Sequence, residues 1–311
     1  MGAFNDTMRR CCLFAMALAA LAQEPEPAFR AEVNMVPVTF SATDGNGAPI
    51  RDLRRSELKL TDDQRPREIT FFGQEGDLPL TVGLVVDMSN TQRRFFDRHR
   101  KDMSKFLKNV LKPGDRAFLM SFGIKNQVRL VTDLTGSAEE LGRGVEALEP
   151  CRRSPKPFNC GSPIWDAVFT AARLKIKSVT GRKALVLLSD GLDTGSPHTL
   201  ADAIEAAQDA DVAVYTMMFK FTAGRVAHLE SGTAEAWMRR LAEETGGRYF
   251  DASKNDTAGI FAQIEEDLRN LYVVGFSPSE GDRDGKFHQL KIETPRAGVK
   301  IRARKGYIAG R

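Results

Sequence analysis

Several features that would mark common functional classes are missing from this sequence of 311 residues. The net charge is only +4, from 45 basic and 41 acidic residues that are mixed in sign along the chain, and this does not indicate a nucleic-acid-binding protein. The motifs of serine hydrolases, zinc proteases, P-loop nucleotide binders and dinucleotide-binding enzymes do not occur. The four histidines are scattered, and surface positions are expected for them. No internal repeat is present.

The N-terminal apolar run is too short for a comfortable membrane span. Cys11–Leu21 follows Arg9 and Arg10 and ends next to Ala22, which completes an A-x-A cleavage pattern. This order predicts a secretory signal peptide over residues 1–22, with an uncleaved anchor as the alternative. After cleavage no integral membrane segment would remain, and the protein would be secreted or lie in the periplasm or cell envelope.

Only four cysteines are present, and two of them belong to the predicted signal peptide. Cys151 and Cys160 remain, separated by a polar, proline-containing stretch that predicts a loop. In an oxidising compartment these two residues are expected to form a disulfide bond, whereas two free thiols are the alternative.

The chain changes its pattern twice. Residues 23–32 predict a flexible lead-in, and 33–73 a small N-terminal β module. Residues 80–270 alternate strand and helix patterns, which indicates an α/β domain with a doubly wound, mostly parallel sheet. Residues 271–311 return to β patterns. Neither flank has enough strands for a core, so we expect them to pack together as one small β-sandwich-like domain.

Oxygen-bearing side chains follow two fully apolar strand patterns. The run Leu80–Val86 ends in Asp87, Ser89 and Thr91, and the run within Lys183–Ser189 ends in Asp190. A further hydroxyl, that of Ser162, stands at a predicted helix start. Carboxyl ends of neighbouring parallel strands meet at one edge of a sheet, where ligands bind. Two carboxylates and three hydroxyls suit Mg²⁺ or Mn²⁺ rather than Zn²⁺, because no cysteine or histidine pair is nearby. The alternative is that Ser89 or Thr91 only caps the following helix.

Three motifs give this set a family resemblance. D-x-S-x-T, G-S-P-I-W-D-A and L-S-D-G-x-D resemble the metal-ion-dependent adhesion site (MIDAS) of the von Willebrand factor type A (VWFA) family, over about Leu80–Asp267. The flanks are similar to those of secreted bacterial proteins with a VWFA-related domain. The resemblance implies a Rossmann-like sheet and a divalent cation that binds a partner protein. The ligands that it implies are Asp87, Ser89, Thr91, Ser162 and Asp190. Thr91 stands where serine is usual and Ser162 where threonine is usual, so both hydroxyls are kept.

The expected function is a protein-binding module, without catalysis, whose Mg²⁺ or Mn²⁺ accepts an Asp or Glu carboxylate of a partner protein. A structural scaffold with a metal-free site and contacts through the β flanks is the alternative. A hydrolase using the same ion would need a base, and none is visible.

Three further patterns border this predicted site. Ser162 and Pro163 predict the start of a helix that runs to Ile176. Asp193 is expected either behind the metal ligands or, more simply, as a turn or cap residue. Phe219–Ser231 is expected to be an insertion ahead of a helix, either a specificity loop or plain surface.

Overall fold

The computed structural model describes residues 35–74, 78–151, 160–220, 225–253, 256–279 and 284–310. The predicted signal peptide, the lead-in and the loop between the two cysteines lie outside the described residues. The helices are α1 Arg93–Val110, α2 Ala138–Glu146, α3 Ile164–Thr170, α4 Leu200–Asp209, α5 Arg225–Glu244 and α6 Thr257–Arg269. The strands are β1 Val36–Thr43, β2 Lys59–Asp62, β3 Arg65–Arg67, β4 Phe71–Gln74, β5 Leu80–Asp87, β6 Arg116–Phe122, β7 Val128–Thr135, β8 Arg182–Ser189, β9 Ala213–Met218, β10 Tyr249–Asp251, β11 Leu271–Phe276, β12 Phe287–Glu293, β13 Lys300–Ala303 and β14 Gly306–Ile308.

A six-stranded sheet in the order β10-β9-β8-β5-β6-β7 forms the centre of the α/β part. All neighbouring pairs are parallel except β6–β7, which is an antiparallel hairpin. Every residue of β5 is buried, because apolar clusters cover both faces of the sheet. The unbroken apolar run of β5 is therefore the sequence signature of a strand covered on both sides.

Two helices differ from the predicted bounds. The segment predicted as one helix to Ile176 is α-helical only over Ile164–Thr170 and continues as a π-helical stretch, Ala171–Ile176. Helix α5 begins at Arg225, within the segment predicted as an insertion, so the prediction of an irregular loop there was wrong. Ser231 and Gly232 favour a loop, but both lie within this helix. No helix among the described residues is long and apolar enough to cross a membrane.

Two antiparallel sheets carry the remaining strands. One has the order β13-β1-β11-β4, and the other β14-β12-β2-β3. Apolar residues of both sheets share one core, with Phe40 of β1, Tyr272 of β11 and Leu290 of β12 among its members. The strands before and after the α/β part therefore build a sandwich jointly. The predicted fold class, a Rossmann-like α/β sheet with additional antiparallel β segments, is confirmed.

Candidate metal site

The two strands that end in Asp87 and Asp190 are direct neighbours. β5 and β8 pair in parallel, with Val86 opposite Leu188, so their carboxyl ends lie side by side. Both carboxylates are buried, with Asp87 2% and Asp190 3% exposed. The five side chains predicted as ligands thus belong to three loops at one edge of the sheet.

Asp87 is held by hydroxyl groups and a backbone amide. The Ser162 hydroxyl donates to Asp87 Oδ2 at 2.8 Å, and the Ser189 hydroxyl donates to the same oxygen at 2.7 Å. The Ser89 N–H donates to Asp87 Oδ1 at 2.8 Å. Ser189 was not among the predicted site residues, although it precedes Asp190 in the L-S-D-G motif. The sequence signal that could have identified Ser189 was its position as the last residue of an apolar strand.

Thr91 joins Ser89 to the second carboxylate. The two hydroxyl oxygens are 3.0 Å apart. The Thr91 hydroxyl also forms a hydrogen bond with the Asp190 carboxylate, and this bond acts to lower the pKa of Asp190. The Leu192 N–H donates to Asp190 Oδ1 at 3.1 Å, which fixes the carboxylate against its own loop. The structure therefore brings Asp87, Ser89, Thr91, Ser162 and Asp190 into one connected group.

Asp193, rather than Ser162, caps helix α3. The N–H groups of Ile164 and Trp165 donate to Asp193 Oδ1 at 2.8 and 3.2 Å. The Ser162 side chain makes no capping bond to α3 and points instead to Asp87. The backbone of Ser162 pairs with that of Thr194 in both directions. Because Asp193 caps the helix, the Ser162 hydroxyl is available to donate to Asp87.

The cysteine pair borders the same group of loops. Cys151 and Cys160 form a disulfide bond with a Cα–Cα distance of 5.7 Å. The Cys151 N–H donates to the carbonyl of Met88, between Asp87 and Ser89, at 2.7 Å. Cys160, which lies two residues before Ser162, forms a β-bridge with Ile124 in the β6–β7 turn. The disulfide therefore connects the loop after β5 with the loop that carries Ser162.

Gly123 lets the β6–β7 turn approach the same loop closely. Its φ is +110°, which L side chains rarely adopt. A Cβ atom at this position would lie 2.8 Å from the backbone nitrogen of Ser89 and 3.1 Å from the carbonyl oxygen of Gly161. Glycine is therefore required where two of the site loops meet.

Burial raises the pKa of Asp87 to about 6, and the charge of Asp190 adds to the rise. Burial also raises the pKa of Asp190, while the Thr91 hydroxyl opposes the increase. Among the described residues, no lysine or arginine forms an ion pair with either carboxylate. Two buried carboxylates without a cationic partner and three surrounding hydroxyls fit a hard divalent cation, which would compensate their charge.

Solved structures of a mussel protein and of a bacterial protein match part of this chain. Proximal thread matrix protein 1 from the mussel byssus matches at a TM-score of 0.50 and 9% identity, over 74% of this chain and 50% of that chain. A structure of the same mussel protein with a zinc-occupied MIDAS motif matches at a TM-score of 0.51 and 11% identity, over 67% and 49%. An aerotolerance-related membrane protein from Bacteroides fragilis matches at 0.48 and 16% identity, over 61% and 98%.

This chain spans about half the length of the mussel protein, so the likeness concerns the shared fold. Neither a scan against protein-family models nor a search of curated proteins finds a match. Fold and side chains together define an α/β protein with oxygen donors gathered at the carboxyl edge of a mostly parallel sheet. The fold of the α/β part is the one that the resemblance of the three motifs implied.

Proposed function

We propose that this protein is a secreted or envelope-facing protein-binding module. Its Mg²⁺ or Mn²⁺ ion, held by Asp87, Ser89, Thr91, Ser162 and Asp190, coordinates an Asp or Glu carboxylate of a partner protein. The observation that carries the proposal is the convergence of these five side chains at the ends of two adjacent parallel strands.

The charge of the donor set supports an acidic partner. Two carboxylates balance a divalent ion without excess, and the three hydroxyls are neutral. Mg²⁺ needs about six oxygen ligands. An ion with only these protein donors retains room for one more ligand, and a carboxylate is the side chain that binds hard cations best. The mechanism is coordination, with no bond broken.

The proposed location rests on the signal-peptide pattern of residues 1–22 and on the disulfide bond. Disulfides persist in oxidising compartments such as the periplasm or the medium. The Cys151–Cys160 bond is therefore compatible with export. One structure of the mussel protein has a zinc-occupied MIDAS motif. Metal titration is therefore needed to identify the ion that this protein binds.

The test is thermal unfolding of the purified chain in EDTA and then in excess Mg²⁺ or Mn²⁺. A ligand at 100 times its Kd adds about 2.7 kcal/mol to the unfolding free energy, which gives a clear rise in melting temperature. In D87N this rise is expected to vanish, because the charge of the central ligand is lost while its shape is kept.

The matched control is D133N, which removes an exposed carboxylate from β7 of the same sheet. It should keep the full metal-induced rise. A rise of equal size in D87N would contradict the proposal. If neither metal changes the melting temperature of the wild-type chain, and a partner still binds in chelator, the alternative of a metal-free scaffold with contacts through the β flanks is favoured.

A further inference from the structure

A second group of ionisable side chains lies in the sandwich, in the sheet β14-β12-β2-β3. Asp62 ends β2, Asp63 begins the tight turn to β3, and His288 is the second residue of β12. β2 and β12 are antiparallel neighbours, with Asp62 opposite Leu290. One ligand atom from each of Asp62, Asp63 and His288 lies within 4.8 Å of the others.

The sheet fixes one oxygen of each aspartate and leaves the other facing the histidine. Asp62 Oδ2 accepts from Nε and Nη2 of Arg67 at 3.1 and 2.9 Å. Asp63 Oδ1 accepts from the N–H of Gln289 at 2.9 Å. The remaining oxygens, Asp62 Oδ1 and Asp63 Oδ2, lie 3.5 and 3.0 Å from Nδ1 of His288.

Two of these facing atoms are buried and have no hydrogen-bond partner. Asp62 is fully buried and His288 is 7% exposed. Neither Asp62 Oδ1 nor His288 Nδ1 forms a hydrogen bond, so the short distances between them are not explained by one. Leaving such groups unsatisfied costs about 1–3 kcal/mol each, and a bound cation would remove that cost.

The other ring nitrogen of His288 is held from behind. Nε2 is 3.1 Å from Asp284 Oδ1, and the same oxygen accepts from the N–H of Lys286. A carboxylate at this nitrogen keeps a proton on Nε2, which leaves Nδ1 as the nitrogen that could bind a metal ion. Histidines that bind metal ions are oriented by such a carboxylate contact on the second nitrogen.

We propose that Asp62 Oδ1, Asp63 Oδ2 and His288 Nδ1 bind a divalent transition-metal ion, with Zn²⁺ as the first candidate. Two ligand atoms of a tetrahedral zinc site, each about 2.0–2.1 Å from the ion, are roughly 3.3 Å apart. The two oxygen–nitrogen distances of 3.5 and 3.0 Å bracket that value. One imidazole with two carboxylates is a donor set that suits zinc, and it is distinct from the hydroxyl-rich site of the α/β domain.

The proposed ion would fasten the β2–β3 hairpin to the start of β12. Asp63 and Gln64 have φ angles of +48° and +65°, as a two-residue type I′ turn requires. The Asp63 side chain is half exposed, so the fourth coordination position faces water. Three protein ligands with one open position give an ion that stabilises the sheet and remains accessible to a small ligand.

The experiment is zinc stoichiometry of the tag-free chain, measured by competition with a chromogenic chelator. The D87N background removes the site of the α/β domain, and it is expected to bind one Zn²⁺. D63N/D87N is expected to bind none, and H288Q/D87N gives the same loss by an independent change. Asparagine at position 63 keeps the oxygen that Gln289 uses and tolerates a positive φ.

The matched control is D44N/D87N. Asp44 accepts two backbone N–H groups in another sandwich turn, and asparagine keeps that acceptor. This variant should bind one Zn²⁺, and Co²⁺ in its place should give the intense visible absorption of four-coordinate cobalt. Melting in EDTA verifies that each variant folds.

Two results would overturn the proposal. If D87N binds no zinc, His288 is only an ion-pair partner of the aspartates. If D63N/D87N and H288Q/D87N still bind one equivalent, zinc binds elsewhere. A wild-type chain whose single zinc is lost in D63N and kept in D87N would support the sandwich site and count against the ion proposed for the α/β domain.

Discussion

At the scale of single residues, the Ser162 hydroxyl is available to the metal site because Asp193 caps helix α3 in its place. Serine before a helix normally accepts from the helix N–H groups. Here Asp193 accepts from Ile164 and Trp165, and Ser162 donates to Asp87. The sequence alone did not decide whether Asp193 lies behind the metal ligands or serves as a turn or cap residue. Its contact with a helix 29 residues earlier could not be read from local spacing.

The histidines illustrate the same limit. All four were expected at the surface, but His99 and His288 are buried. His288 stands in a strand whose sequence alternates cleanly between exposed and buried positions, and it occupies a buried one. The alternation of exposed and buried positions was the signal that could have placed His288 on the inner face. The two aspartates that face Nδ1 of His288, Asp62 and Asp63, come from the end of β2 and the turn after it, more than 220 residues earlier, which no sequence pattern indicated.

Asp267 provides a prediction about pH. Burial raises the pKa of this carboxyl on α6 from its ordinary 3.8 to about 6, against the opposing charge of Arg248 at 3.7 Å. Between pH 3.8 and about pH 6, Asp267 keeps its proton in the folded chain and releases it in the unfolded chain. The free energy of unfolding therefore falls as pH rises from about 4 to about 6, by up to ~3 kcal/mol for this group.

The variant D267N should lose this contribution, so its unfolding free energy should fall less steeply over the same pH range. Urea denaturation at a series of pH values measures the slope. Both proteins are compared in EDTA, so that the Asp87–Asp190 pair contributes equally. A slope identical to that of the wild-type chain would contradict the prediction.

At the scale of elements, the central strands were the most predictable part. β5 and β8 are buried on both faces, so their apolar runs and the polar residues after them could be recognised without any partner. The short flanking strands were less well defined. β3 consists of Arg65, Pro66 and Arg67, which no strand propensity favours, and it exists because it pairs with β2 across a tight turn.

The disulfide provides a prediction at this scale. The C151S/C160S variant should lose about 2–3 kcal/mol of unfolding free energy, because the bond closes a short loop in the unfolded chain. It should also bind Mg²⁺ or Mn²⁺ about tenfold more weakly, since the two cysteines hold the Met88 carbonyl and the strand segment before Ser162. Urea denaturation and metal titration separate the two effects.

The serine variant is compared with the wild-type chain before and after treatment with a reducing agent, which should reproduce both changes. A loss of stability with unchanged metal affinity would mean that the bond constrains only the unfolded chain and has no influence on the site.

At the scale of the whole molecule, one arginine ties the sandwich to the α/β domain. Arg304 donates to the carbonyl of Gln208 in α4 at 2.8 Å and to the carbonyl of Pro37 in β1 at 2.6 Å. Its Nε lies 3.3 Å from Asp211. The side chain is buried, so these contacts are shielded from competing water.

The variant R304A should lose about 3 kcal/mol, because hydrogen bonds from a charged group contribute about 1.5–3 kcal/mol each. Calorimetry should then resolve two unfolding transitions where the wild-type chain gives one. K305A, which removes a half-exposed neighbouring charge, is the control and should stay within about 0.5 kcal/mol of the wild-type chain. A single transition in R304A would show that other contacts couple the two parts.

The interleaved sandwich also determines the order in which the chain can fold. The Tyr272 hydroxyl accepts from the N–H of Leu53, 219 residues away in sequence, and β11 lies between β1 and β4 in one sheet. Such distant pairings are slow to form in an unfolded chain. Once the α/β domain has folded, its two ends are held near each other, and the effective loop between β4 and β11 becomes short. Because synthesis runs from the N-terminus, β1 and β4 have no sheet partner until β11 has been made. During that interval β1 and β4 present open edges, which can pair with strands of another chain.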